Sequence, residues 1–507
     1  MIESIKQTPT TSPRSHLGRT TGARHRANRY ANLVPVRGKA SVADLLMLLS
    51  DWSSGDGPLY RRLADRINVL IDERALEPET FLPSERALAA ALSVSRRTVE
   101  AAYDLLWTRQ LVRRKTGVGT WCAQRHPLAP ADSHRCAAAE EFIEHLLDAS
   151  RALDLTIAGM PAHPLMTEAR QATRSVVEAM QFETHGYLPL GLDLLREEIC
   201  KWFIDRGVPT EPGQLALTTG ASQGLWLASS LLAPGTEVWL ENPTSPTILN
   251  ALRGHALRLR EVPIDQHGMQ IDAIPPDARG AVVVTPCYLN PTGAHLEEAR
   301  CRKLAQRADR DLLVIEDLAL ADINLDGPAP RSVAAYASQA NILSIGSVSK
   351  LFWGGLRLGW MRGPTPLIRR INHLRAKVDI STSVDVQAQA AWLLRHRPEV
   401  ARDRLPQLRA QRDAALAELA VQLPEWRRQV PEGGLSIWLE LPGEDASMVC
   451  QRALRQGIRL LTGRVFDLHG RDERHLRLPF VRSVPIMREI VRRVATAARG
   501  RKASNDT

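Results

Sequence analysis

Lys350 stands in the stretch SIGSVSKLFWGGLRLGW, residues 344–360, on a short polar turn between an apolar run and a glycine-rich run that carries Arg357. A lysine that reacts with a carbonyl must be partly deprotonated or must already be held as an imine, and a phosphorylated carbonyl cofactor built on a pyridine ring provides the second condition. Such a site needs four further groups: donors for the phosphate, a carboxylate for the ring nitrogen, a donor for the ring oxygen, and a cation for the carboxylate of an amino-acid ligand. The stretch LTTGASQGL has the order strand, glycine turn, helix start, in which the backbone N–H groups of Ala221 and Ser222 can cradle a phosphate. Ser347 and Ser349 lie beside Lys350, and Arg357 lies seven residues beyond it. The apolar run LLVIED ends in Asp317, at the carboxyl end of a strand, where ligands of parallel sheets bind. YLNPTG brings Asn290 to the end of the strand AVVVTP. Taken singly, each feature has an ordinary explanation as a helix start, a helix cap or a surface lysine in a turn; five in one order are a stronger signal.

These side chains need a scaffold. From residue 154 to about 498 apolar runs such as EVWLE, AVVVT, LLVIE and ILSIG alternate with amphipathic helical segments, which predicts an α/β domain with a largely parallel sheet. The stretch from GGLSIWLEL to HLRLPF predicts a smaller α+β subdomain. Ahead of this, residues 124–150 mix proline, histidine and small residues before a short helical run and read as a linker, whereas residues 1–40 read as a disordered basic tail. RGRKASNDT at the other end reads as a frayed tail.

Residues 57–123 have a different pattern. SVADLLMLLSDW, just before them, suits a short amphipathic helix, and from Leu59 a helical face of Leu63, Ile67 and Leu70 excludes Arg61, Arg62, Asp65 and Arg66. A second helix is predicted from Pro83-Ser84 and a third from Ser95, joined by the short polar LSVS; LVRRKTGVGTWC then alternates around two glycines as a β-hairpin. Ser95, Arg96, Arg97 and Thr98 cluster at the start of the third helix, the end that faces base edges when such a helix lies in the major groove. Arg86 is placed to meet a phosphate, and the hairpin sets Arg113, Arg114 and Lys115 beside glycines, as a wing at the minor groove needs. A solvated basic face is the alternative for each arginine.

LPSERALAAALSVSRRTVEAAYDLL followed by LVRRKTGVGTW resembles the winged helix-turn-helix of GntR-type transcriptional regulators, over Leu59 to about Cys122. The resemblance implies DNA contacts at Arg86, Ser95, Arg96, Arg97, Thr98 and Gly117. Glu100 sits where some relatives carry a basic residue, so the base preference does not carry over. Over roughly residues 150–498 the order of YLPLG, TTGASQGL, ENPTSPT, NPTG, VIED, SVSK and GLRLGW resembles fold-type I aminotransferases. Joined, the two halves are similar to MocR-type regulators, which implies a winged helix-turn-helix, mostly α, followed over 151–498 by an α/β transferase fold that binds pyridoxal 5'-phosphate (PLP). By that resemblance Lys350 forms the internal aldimine, Asp317 holds the pyridinium and Asn290 bonds the ring oxygen. Ser347, Ser349 and Arg357 join the backbone of Ala221 and Ser222 on the phosphate, Tyr187 reaches the phosphate of a partner subunit, and Arg477 grips a ligand carboxylate. Two positions depart from the pattern: Ala319 stands where these regulators usually carry a tyrosine on the ring oxygen, and Ser245 where an aromatic usually stacks on the ring. The resemblance therefore implies a homodimeric, PLP-dependent regulator of transcription that binds operator DNA and senses PLP or an amine or amino-acid effector through the lysine aldimine. The alternative is a working aminotransferase with an appended DNA-binding domain.

Composition sets the outer bounds. A chain of 507 residues with 44% hydrophobic and 24% charged residues fits two or three globular domains. A formal net charge of +10 favours a polyanionic partner, although a basic surface also serves solubility. No apolar run is long enough to span a bilayer, and the N-terminus has no apolar signal region. Cys122, Cys136, Cys200, Cys287, Cys301 and Cys450 form no CxxC pair and no metal-ligand spacing, the pattern of reduced thiols in a cytoplasmic protein.

Overall fold

Apolar spacings of three and four over residues 42–108 produce four helices in the computed structural model, which describes residues 38–500 apart from 50–51, 54–57, 73–74, 110, 116, 124–140, 144–145, 148–151, 309–311, 338–339 and 444. The chain divides into two compact units, Met1–Ser133 and His134–Thr507. Most of the expected N-terminal tail, much of the expected linker and most of the C-terminal tail fall outside the described residues.

In the first unit the helices are α1 (Val42–Leu49), α2 (Leu59–Asp72), α3 (Glu85–Leu92) and α4 (Arg96–Thr108), followed by the antiparallel hairpin β1 (Val112–Lys115) and β2 (Gly119–Cys122). Leu45, Leu63, Ile67, Leu70, Leu88, Val99, Ala102 and Leu106 are fully buried and form the core. Ser84 and Ser95 cap α3 and α4 by accepting from the backbone N–H of Ala87 and Thr98, which satisfies donors that the first helical turn leaves unpaired. Ser93, left-handed at φ 54°, makes the tight corner between the two helices. The hydroxyl of buried Tyr103 donates to the Pro83 carbonyl at 2.9 Å and ties α4 to the start of α3. Two expectations need correction. Arg61, assigned to the solvent side of α2, is buried, because the buried face of this helix widens to take in Tyr60, Ala64 and Asn68. Residues 38–40, assigned to the disordered tail, are ordered: the Phe81 N–H donates to the Gly38 carbonyl, the Ala40 N–H donates back to Phe81, and Ala40 is buried.

In the second unit the strands are β3 (Leu153–Asp154), β4 (Leu215–Thr218), β5 (Glu237–Asn242), β6 (Arg258–Asp265), β7 (Gly268–Met269), β8 (Gly280–Val284), β9 (Leu312–Asp317), β10 (Ile342–Ser347), β11 (Gly359–Arg362), β12 (Arg427–Arg428), β13 (Ser436–Glu440), β14 (Ile458–Arg459), β15 (Leu461–Thr462) and β16 (His475–Pro479). Eight of them form one sheet in the order β4-β11-β10-β9-β8-β5-β6-β7. Its pairings are parallel from β10 to β6, while β11 runs antiparallel to both β4 and β10, and β7 runs antiparallel to β6. Both faces are covered, so alternate residues of each strand serve separate cores: Val282, Val284 and Val314 on one side, Val283, Ile315 and Ile345 on the other. β12, β13, β16 and β15 make a separate antiparallel sheet of four strands.

Two glycines that flank Lys350, Gly346 on β10 and Gly359 on β11, are explained by the packing of these strands. A Cβ on Gly346 would lie 2.4 Å from the Trp360 ring, and one on Gly359 would lie 2.7 Å from the Gly346 carbonyl oxygen. Only residues without a side chain let these strands approach the turn at Gly220 so closely. Strand polarity then sends the carboxyl ends of β4, β5, β8, β9 and β10 to one edge of the sheet.

Candidate functional site

At that edge lies a cavity of about 200 Å³ whose walls include Ala221, Ser222, Asn290, Asp317, Ser347, Ser349, Lys350, Arg357 and Arg477. Nine of the ten residues expected in the large domain's site thus meet in one place. Tyr187, the tenth, is not on the wall: it is 60% exposed, with its ring beside His185. Ala319 and Ser245, the two departures from the family pattern, do line the cavity.

One end of the cavity is an anion cradle. Gly220, at φ 120°, turns the chain from β4 into the helix Ala221–Ser230, so the N–H groups of Ala221 and Ser222 have no acceptor within the helix. A Cβ on Gly220 would come 3.2 Å from a guanidinium nitrogen of Arg357, which closes the cradle from the other side. Arg357 itself is left-handed at φ 48°, a strained conformation of the kind that collects at functional sites. Ser347 Oγ lies 3.0 Å from Ser349 Oγ and 3.2 Å from the Leu358 carbonyl oxygen, and it accepts from the Ser349 N–H. These contacts hold both hydroxyls at the end of β10.

Asp317 ends β9 and accepts from the Ala319 N–H at 2.9 Å; burial raises its pKa, and that bond and nearby Lys350 offset part of the rise. The Lys350 amine donates to the Ala158 carbonyl at 2.8 Å. Burial, with the positive charges of Arg477 and Arg357, pushes its pKa down to about 8 against the opposing pull of Asp317. Arg477, on β16 and buried, donates to Asn290 Oδ1 at 3.3 Å and to the carbonyls of Leu155 and Thr156, and its guanidinium lies 5.1 Å from the Phe466 ring centroid. Its Nε has no acceptor among the described residues, and burial lowers its pKa to about 9. Asn290 Nδ2 donates to Ser245 Oγ at 3.4 Å.

This donor set fits PLP: a cradle of N–H, hydroxyl and guanidinium groups at one end, a half-buried carboxylate beside the amine, and a buried guanidinium whose hydrogen-bond acceptors are neutral oxygens, with the charge of Asp154 nearby. Sequence reasoning missed three contributors. Glu241, at the end of β5, is buried and accepts from the Thr285 N–H at 2.9 Å, and burial pushes its pKa up to about 8. It was visible only as one letter of ENPTSPT. The carbonyls of Leu155, Thr156 and Ala158 occupy Arg477 and Lys350, and backbone oxygens leave no mark in a sequence. Phe142 and Leu146, expected in the linker, line the cavity, and Phe142 packs beside Leu461, Val465 and Phe466.

In the first unit Arg86, Ser95, Arg96 and Arg97 are exposed at the starts of α3 and α4, Thr98 is half-buried, and Gly117 turns the hairpin at φ 80°. Arg96 pairs with Glu85 at 3.3 Å while its side chain stays 71% exposed. Arg114 pairs with Glu85 and Asp104, so one cation of the expected wing is held by the helices.

Residues 156–494 match the family of class I and II aminotransferases, and residues 59–121 match the gntR family of bacterial regulatory proteins. The HTH-type transcriptional regulator TauR of Rhodobacter capsulatus is 28% identical over 447 residues, 83% of this chain and 92% of TauR. The uncharacterized HTH-type regulator YdfD of Bacillus subtilis is 26% identical, over 81% of this chain and 90% of YdfD. Among solved structures, α-aminoadipate aminotransferase LysN of Thermus thermophilus, complexed with N-(5'-phosphopyridoxyl)-L-leucine, is 26% identical with a TM-score of 0.63, covering 71% of this chain and 93% of LysN.

Proposed function

The chain belongs to the family of class I and II aminotransferases, and from that premise we propose that it is a PLP-dependent, DNA-binding regulator of transcription rather than a metabolic transaminase. The observation that carries this reading is the union in one chain of nine anchoring residues around one cavity at Lys350 with a gntR-type head that exposes Ser95, Arg96 and Arg97 at the start of α4. TauR and YdfD, both named HTH-type transcriptional regulators, align along four-fifths of this chain, which supports the reading for the whole molecule.

When bound, PLP supplies an aldehyde carbon that can pass from one amine to another and a pyridine ring that withdraws electrons from it. The chain's residues do the rest. Ala221 and Ser222 N–H groups, the hydroxyls of Ser347 and Ser349, and Arg357 would hold the phosphate. Asp317 would keep a proton on the ring nitrogen by placing a counter-charge beside it. Asn290 would donate to the ring oxygen. Lys350, partly neutral near pH 8, would hold the cofactor and yield it to an effector amine, while Arg477 would bind a ligand carboxylate. Exchange at Lys350 would bias the large domain between two arrangements, and so the placing of the winged helices of a homodimer on an operator. In that dimer Tyr187, exposed here, would reach the partner's phosphate. Ala319 and Ser245 would supply neither a tyrosine to the ring oxygen nor an aromatic stack from these two positions, which favours sensing over sustained turnover.

The test is chemical. The purified protein should be yellow, and borohydride followed by peptide mapping should place the cofactor on Lys350. A colourless protein that takes up no PLP would leave the large domain as a dimerisation scaffold; a label on another lysine would overturn the site.

A further inference from the structure

We infer that Glu85 is a positioning residue for sequence discrimination: its carboxylate aims Arg96 at a base edge and ties the hairpin to the helices through Arg114. This rests on the reading of residues 59–121 as a DNA-binding head. Glu85 is the first residue of α3, and its side chain is only 15% exposed. Its two oxygens serve different elements. Oε2 accepts from Nε and Nη2 of Arg96, in the first turn of α4, at 3.4 and 3.3 Å. Oε1 accepts from Nη2 of Arg114 on β1, whose Nη1 donates in turn to Asp104 on α4. One carboxylate thus joins the start of the proposed reading helix to the hairpin expected to act as a wing.

An exposed ion pair adds little to stability, so the worth of these contacts lies in their geometry. Glu85 takes the Nε–Nη2 edge of the Arg96 guanidinium. That leaves Nη1 and the second hydrogen of Nη2, the end-on fork that matches the O6 and N7 acceptors of guanine. Holding one edge presets the other, so a side chain otherwise rich in rotamers loses less freedom when it meets DNA. Ser84 fixes the anchor: its hydroxyl caps α3 by accepting from the Ala87 N–H, and the helix start favours a negative charge at Glu85. Arg114 meets carboxylates on two sides, which leaves the exposed Arg113 and Lys115 as the cations of β1 for phosphates. Without the Glu85 carboxylate, Arg96 is free to turn to a phosphate, a contact that carries no sequence information.

The experiment selects a duplex from a random library with the full-length wild-type protein, then titrates that duplex and a scrambled one of the same composition by fluorescence anisotropy. Glu85→Gln should lower the ratio of selected to scrambled affinity about tenfold, chiefly through weaker binding of the selected duplex. On scrambled DNA it should steepen the salt dependence by about one phosphate contact. In an Arg96→Ala background the same substitution should leave the ratio nearly unchanged, because its partner is gone. Glu85→Asp, which keeps the charge but stops one methylene short, should also lose discrimination, and it replaces the glutamine variant if that one fails to fold. A loss that is equal with and without Arg96 would make Glu85 a purely structural residue. Affinities that rise together on both duplexes would make it a repulsive charge and nothing more. Either result, or an unchanged ratio in the wild-type background, overturns the inference while leaving the DNA-binding reading in place. A library from which no duplex is enriched overturns both.

Discussion

Lys350 is poised by its surroundings. An unperturbed lysine titrates near 10.5, but burial and the two neighbouring arginines bring this one to about 8, with Asp317 pulling the other way. The sign of the pH effect follows: below about pH 8 the amine is protonated and cannot attack an aldehyde, and above it the neutral nucleophile prevails. The rate at which apo-protein captures PLP should therefore rise with pH and level off soon after about pH 8. A rate still climbing steeply past about pH 9 would show an ordinary, solvated lysine. The residues proposed to bear this chemistry were placed in one cavity by motifs whose order is their signal: Lys350 in SVSK, Asp317 in VIED, Asn290 in NPTG, Arg477 in HLRLPF. What tunes them was not legible. The Ala158 carbonyl on Lys350 lies 192 positions away, and a backbone oxygen is the same whatever the residue. Buried Glu241 reads in a sequence like any strand-end acid.

At the scale of elements, α4 is the helix proposed to read DNA, and Ser95 caps its start through the Thr98 N–H. Arg96 and Arg97 are exposed in its first turn. Arg96→Ala should weaken binding to the specific operator by about 1–3 kcal/mol with little change on random DNA, if the side chain meets a base edge. Lys115→Ala, in the exposed hairpin, should weaken both by similar amounts. Equal losses on both DNAs for Arg96 would reduce it to a phosphate contact. The helices of this unit were readable from spacings of three and four together with the two serine caps. Strand β11 was not: GWMR has no alternation, because it is buried along its whole length, and its antiparallel direction is set by pairing with β4 and β10. Arg61 was misjudged for a related reason, since a helix packed on more than one side buries more than one stripe.

For the whole molecule the claim is that the lysine exists to make occupancy of one domain readable at the other. Among the described residues no helix is long and apolar enough to cross a membrane. The two halves were recognisable from sequence, one as a helical unit with a basic hairpin and the other as an alternating α/β unit. The boundary between them was harder to draw, because Phe142 and Leu146 lie in a stretch composed like a linker yet form part of the cavity wall. Coupling between ligand sites is typically worth about 1–3 kcal/mol, so operator affinity should shift from several-fold to about a hundredfold with PLP and effector. Lys350→Ala should remove that shift and still bind operator, because the core of the winged helix makes no use of the amine. The most direct measurement is a fluorescence-anisotropy titration of operator DNA with wild type and Lys350→Ala, each with and without PLP and a panel of amino acids. An affinity that moves with ligand in the wild type and stays fixed in Lys350→Ala is the predicted result. Equal affinities across every wild-type condition, together with steady transaminase turnover, would contradict it and make the protein an enzyme that carries a DNA-binding domain.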